Sequence, residues 1–123
     1  MERQELRNRM DIALALGGDV MNFDDLVELA KAGRVQLWFA PDDDGVIATE
    51  IIVYPRKRVL NCFLAAGALR AIVALRDQIE EFAVANDIDA LAAQGSPAWG
   101  RIGARFGWRL RAMSFVRVLK GMH

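Results

Sequence analysis

The chain has 123 residues, 54% of them hydrophobic, with 16 basic and 16 acidic side chains. That length and composition suit one folded domain over residues 1–123 and exclude a disordered chain. The even charge balance leaves no electrostatic footprint for nucleic acid or membrane. One cysteine and one histidine exclude an internal disulfide and a His/Cys metal cluster.

Residues 2–16 carry Leu6, Met10, Ala13 and Leu14 on one stripe, which predicts a helix ended by Gly17-Gly18. Asn22 is an N-cap for a second helix, with Asp24 and Asp25 in its first turn and Met21 and Leu26 at the positions of a hydrophobic staple. Gly33 closes that helix.

The period then changes to two. Val35, Leu37 and Phe39 alternate with Gln36 and Trp38, and Pro41 to Gly45 is a turn. Residues 46–53 are rich in β-branched side chains, Tyr54 to Arg58 turns the chain again, and 59–65 is apolar on both faces except at Asn61. Three strands with short turns predict an antiparallel meander.

A long helix follows over roughly 68–85, then a short strand from Ile88 to Ala93. Strand, crossover helix and strand predict a parallel right-handed unit. Ser96-Pro97 predicts another helix start, with Trp99, Ile102, Gly103 and Phe106 on its apolar stripe and Gly107 at its end. Residues 108–119 alternate once more and predict a last strand.

The expected fold class is therefore α/β with a mixed sheet, in the order helix, helix, β-meander, helix, strand, helix, strand. That order resembles the acyl-CoA N-acyltransferase (GNAT) fold with its first strand missing. The most specific segment is Ile102 to Trp108, which resembles the family's Phe-Tyr-x-x-x-Gly-Phe element. Gly107 and Trp108 match its close, and Gly103 stands where the family has tyrosine. Glu50 to Pro55 and Trp99 to Trp108 also resemble segments of small GNAT-like proteins encoded by phages, prophages and gene transfer agents.

The resemblance implies three chemical requirements. The first is a cradle of backbone N–H groups for the CoA diphosphate at a helix N-terminus. The corresponding residues here are Ala65, Ala66, Gly67 and Ala68, and only Gly67 matches the family's pattern; an ordinary strand-to-helix turn is the competing reading. The second is a base for the attacking amine. Glu50 is the one acid inside a strand, against the plainer reading of a solvated charge or an ion pair with Arg58. The third is an acid for the leaving thiolate, which Gly103 cannot supply; Tyr54 is distant in sequence, and Ser96 and Ser114 are weak substitutes.

Other features take bland readings. Asp42 to Gly45 lacks calcium-loop spacing, because Val53 stands where a glutamate is needed. Cys62 lies in an apolar run, as a buried thiol does. Arg56, Lys57 and Arg58 form a charged rim, and Trp38, Trp99 and Trp108 are packing residues.

The expectation is thus a GNAT-like domain with a degenerate catalytic site, serving as an interaction or structural component of a phage or gene transfer agent particle. Its partners are then proteins, virion proteins or a second copy of itself, with no membrane partner and no cofactor. The alternative is an active N-acyltransferase using acetyl-CoA or another acyl-CoA on an unknown amine. A third class, nucleic-acid binding through Arg109, Arg111 and Arg117, predicts steep salt dependence. No apolar leader or span of ~20 residues is present, so the expected location is the cytoplasm or the virion.

Overall fold

A computed structural model describes residues 3–16, 21–94, 98–111, 115, 117, 119 and 120. Two helices come first, α1 (Arg3–Leu16) and α2 (Phe23–Lys31). The side chains of Leu6 and Ala13 and the Gly17-Gly18 stop lie outside the description, while Met10 and Leu14 of the expected stripe are buried. Asn22 caps α2 as expected and does so reciprocally. Its Oδ1 accepts from the Asp25 N–H and Asp25 Oδ2 accepts from the Asn22 N–H, each at 2.9 Å. Such a capping box contributes about 1 kcal/mol. Asp11 of α1 accepts from the Phe23 N–H at 3.0 Å, which ties the two helices together at that end.

Four strands form one sheet in the order β1 (Gln36–Phe39), β2 (Gly45–Val53), β3 (Arg58–Gly67) and β4 (Ala90–Ala93). The first three are antiparallel and β4 runs parallel to β3, as the crossover reading requires. The expected single helix over 68–85 is two helices, α3 (Leu69–Ala74) and α4 (Arg76–Ala85). At Leu75 between them the N–H bonds back three residues to the Ile72 carbonyl, and this tighter turn breaks the regular ladder. Helix α5 (Ala98–Ala104) follows, and its expected Ser96-Pro97 start lies outside the described residues. The expected last strand falls partly outside them too; residues 108–111, 115, 117 and 119 are in neither helix nor strand. Alternation predicts a strand only where a sheet edge receives it, and the exposed Leu110, Phe115 and Leu119 pack on none.

The sheet is covered on both faces. On one, Met10, Leu14 and Leu26 of the first two helices pack on Val46, Ala48, Leu64 and Ala66. On the other, Ile72, Leu75, Ile79 and Ala83 pack on Ile47 and Leu60. Full burial of Met10, Leu26, Leu60 and Leu75 stabilises the fold by about 1.5–3 kcal/mol per side chain. Trp38 packs edge-on against Phe82, with centroids 5.2 Å apart. Its Nε1–H donates to the buried Thr49 Oγ1, which donates in turn to Gln36.

Three helices end in the same six-residue closure. In α2, the Arg34 N–H reaches the Leu29 carbonyl and the Gly33 N–H reaches Ala30. Ile88 to Ala83 with Asp87 to Val84 closes α4, and Trp108 to Gly103 with Gly107 to Ala104 closes α5. These are Schellman motifs, whose left-handed residues are Gly33, Asp87 and Gly107. Among the described residues no helix is long and apolar enough to cross a membrane.

Candidate functional site

Strand β3 outruns its parallel neighbour β4. Parallel pairing of β3 with β4 ends at Cys62 with Ala93, followed by one bond from the Gln94 N–H to the Cys62 carbonyl. β3 continues to Gly67, so residues 63–67 run past β4 with no strand beside them on that side among the described residues. The antiparallel register also shifts here. Ala48 faces Leu64 while Thr49 faces Cys62, which leaves Phe63 as the extra residue of a bulge.

Glu50 points to the α1/α2 side of the sheet, opposite Ile51, which packs with the α3/α4 core. Its carboxylate is in no ion pair with Arg58. Oε1 accepts from Asn61 Nδ2 at 3.4 Å, a long bond, and Asn61 Oδ1 accepts from Gln94 Nε2 at 2.9 Å. A polar line therefore crosses β2 and β3 and reaches the end of β4. Asn61 is buried, so its amide needs both partners. A depression of about 380 Å3 opens next to Glu50, lined also by Leu29, Arg34 and Gln36. Arg58 is engaged elsewhere: its N–H donates to Asp89 Oδ2 at 2.8 Å and its Nε–H to the Asn86 carbonyl at 3.3 Å.

The four cradle candidates divide. Ala65 is exposed, and Ala66 turns into the α1/α2 core. Gly67 has φ +115°, and a Cβ there would overlap the Asp44 carbonyl oxygen and stand 2.6 Å from Gly45 Cα. The Ala68 N–H donates to that same Asp44 carbonyl at 2.8 Å. Glycine is thus required at 67 because two backbones cross there, whatever else binds.

By sequence, Asp44 had only a place in the Asp42 to Gly45 turn, with no part in the cradle. It is only 8% exposed, and its carboxylate meets Arg70 Nη2 at 2.6 Å. The Arg70 guanidinium holds the Asp44 carboxyl below its usual range. At the entrance to α3, then, one amide, one glycine and one arginine are all committed to Asp44. A diphosphate would meet a carboxylate here and find the Ala68 N–H already bonded, so the residues present do not fit the cradle the fold implies. The helix behind it is also only six residues long.

No residue described here replaces the missing acid. A Cβ at Gly103 would lie 3.1 Å from Trp108 Cβ, so the indole stands where a larger side chain at 103 would go. Tyr54 is exposed at the far hairpin, where its N–H bonds to the Lys57 carbonyl. Ser96 and Ser114 lie outside the described residues. Cys62 packs toward the α3/α4 core, and burial pushes its thiol up to about 11, which removes it as a nucleophile at neutral pH. Among the described residues no group of acids, histidines and cysteines could hold a metal ion.

No protein-family model matches the sequence, and no curated protein sequence matches it. Its fold does have relatives. A probable acetyltransferase superposes with a TM-score of 0.67 at 11% identity, over 98% of this chain and 93% of the other. An aminoglycoside acetyltransferase from an uncultured soil metagenomic sample, in complex with sisomicin, gives 0.66 at 11% identity with the same coverage. A Trypanosoma brucei acetyltransferase gives 0.66 at 11% identity, over 97% and 96%. The chain therefore has the mixed α/β fold of the GNAT acetyltransferases over nearly its whole length.

Proposed function

We propose that this GNAT-fold chain is an interaction module with a degenerate catalytic site, used as a structural component of a phage or gene transfer agent particle. The observation that carries the reading is Asp44. Its carbonyl binds the Ala68 N–H, its carboxylate binds Arg70, and its backbone lies where a Cβ of residue 67 would project. Sequestration of those groups removes the electrostatic reason for a CoA diphosphate to bind at α3. The packing of Trp108 against Gly103 supports the same reading for the acid. A fold does not fix a function, and the particle role rests on the resemblance of Glu50 to Pro55 and Trp99 to Trp108 to phage-encoded segments. Calorimetric titration with acetyl-CoA is expected to give no heat of binding, and micromolar affinity would overturn the degenerate site.

The Glu50–Asn61–Gln94 line favours a second reading, an N-acyltransferase using an acyl-CoA. There Glu50 would take a proton from an amine lying in the adjoining depression. CoA release across a panel of amines tests it. Turnover that falls about 10²-fold or more in Glu50→Gln would establish it, and no release with any amine would remove it.

A further inference from the structure

The depression beside Glu50 brings opposite charges together without pairing them. It holds about 380 Å3, within the range of small-molecule sites, and lies where α2 hands the chain to β1. Glu50 lines it from β2 and Arg34 from the α2–β1 connection. The two form no ion pair with each other, and Arg34 pairs with no acid among the described residues. Glu50 Oε1 is engaged by Asn61; Oε2 has no partner among the described residues and is not sealed from solvent. Strand β1 stops short of this point. Its register pairs Gln36 with Thr49, so Arg34 would be the residue to face Ile51. Instead the closure of α2 holds the Arg34 N–H on the Leu29 carbonyl, with Gly33 at φ +75°. Ile51 nevertheless turns its own N–H and C=O to that side. The Tyr54 N–H bonds directly across to the Lys57 carbonyl, and bonded and non-bonded pairs alternate along the ladder, so Ile51 opposite Leu60 faces away from β3. One backbone donor and one acceptor are thus left open at the edge of the depression, among the described residues.

The depression therefore offers a carboxylate oxygen, an unpaired arginine, one backbone N–H and one backbone C=O, beside the apolar Leu29 and Val35. A simple cation would leave Arg34 unmatched, and a simple anion would be repelled by Glu50. A ligand carrying both charges on neighbouring atoms satisfies both residues at once. We propose that this depression binds a free α-amino acid with an apolar side chain. Its ammonium lies against Glu50 Oε2 and the Ile51 carbonyl, its carboxylate against Arg34 and the Ile51 N–H, and its side chain against Leu29. Each end is then held by charge-assisted hydrogen bonds. The inference goes beyond the interaction-module reading and does not rest on it. It also supplies the class of amine that the acyltransferase reading leaves open. Acetyl-CoA titration and CoA release test the acyl chemistry, whereas amino-acid binding is read without any acyl donor, so each can fail alone.

The test is titration of the isotope-labelled full chain with L-leucine up to about 20 mM, followed by backbone amide NMR. The expected result is a set of saturable shifts centred on the Arg34, Glu50 and Ile51 amides. N-acetylleucine lacks the ammonium and leucinamide lacks the carboxylate, so each is expected to bind about tenfold more weakly or worse. Glu50→Gln is expected to weaken leucine binding about tenfold and to leave N-acetylleucine unchanged. Arg34→Gln is expected to weaken leucine by a similar factor and to leave leucinamide unchanged. This crossed pattern distinguishes a lost contact from a disturbed fold, which would weaken all three compounds alike. Should Glu50→Gln lose the dispersed amide spectrum of the wild type, Arg34→Gln, at an exposed position, carries the test with the three compounds. No shifts with leucine, shifts centred elsewhere on the chain, or equal binding of the three compounds overturns the proposal. So does leucine binding that is indifferent to both substitutions.

Discussion

Gly67 and Asp44 meet backbone to backbone: the glycine's α-carbon faces the aspartate's carbonyl with no space for a methyl group between them. The first pair of the β2/β3 ladder, Gly45 with Gly67, lies at this crossing. Gly67→Ala is expected to destabilise the fold by at least about 2 kcal/mol, through both the positive φ and the overlap. Urea unfolding checks it, and a midpoint unchanged from wild type would show that the hairpin opens to make room.

Asp44 also sets an acid limit. Its folded pKa lies below the ordinary 3.8, chiefly because of Arg70. Its contribution is therefore fully present above that value and is lost as pH falls through the lower, folded pKa. Asp44→Asn is expected to lower the melting temperature at neutral pH and to flatten the acid limb of the stability curve. Thermal melts from about pH 6 down to about pH 2 read both effects.

The opposite limb belongs to Cys62. Burial raises its thiol from the ordinary 9.0 to about 11, so the folded chain holds a proton that the unfolded chain releases. Stability is then full below about 9 and falls as pH rises toward 11, by up to about 3 kcal/mol. Cys62→Ala should remove that slope while lowering stability at neutral pH. Slow alkylation of the wild-type thiol at pH 8, released by denaturant, is the companion measurement.

Asp87 closes α4 with φ +57°, a conformation that Gly33 and Gly107 supply at the ends of α2 and α5. Replacing it with glycine relieves that strain without touching the two closing bonds, which come from backbone N–H groups. Asp87→Gly is expected to stabilise the chain by about 0.5–1 kcal/mol in urea unfolding.

Periodicity and caps made most of the fold legible. Asn22 and Gly33 bracket α2 as read, the meander pairs as read, and β4 lies parallel to β3. The break at Leu75 was not legible, because the same apolar stripe continues through it. In the site, Glu50 stood out as the acid inside a strand, and Asn61 as the polar residue inside an apolar one. Their pairing through Gln94 depends on strand register, which no local pattern encodes. Asp44 was hidden among three consecutive aspartates in a turn. Only the tertiary approach of the α3 entrance, carrying Gly67, Ala68 and Arg70, gives it a role that Asp42 does not share.

The extra residue in β3 has a consequence for how this strand can vary. Up to Cys62, one parity of side chains meets α3 and α4; from Leu64 onward that parity belongs to α1 and α2. With every residue kept, strict alternation across the whole strand would turn Leu64 and Ala66 away from α1 and α2. The adjacent Phe63 and Leu64, both turned toward the first two helices, are the written form of that switch. Deleting either would remove the bulge and leave the other facing α1 and α2, with Ala65 to Gly67 still in their own layers, so strand length varies more freely at this point than anywhere else in β3.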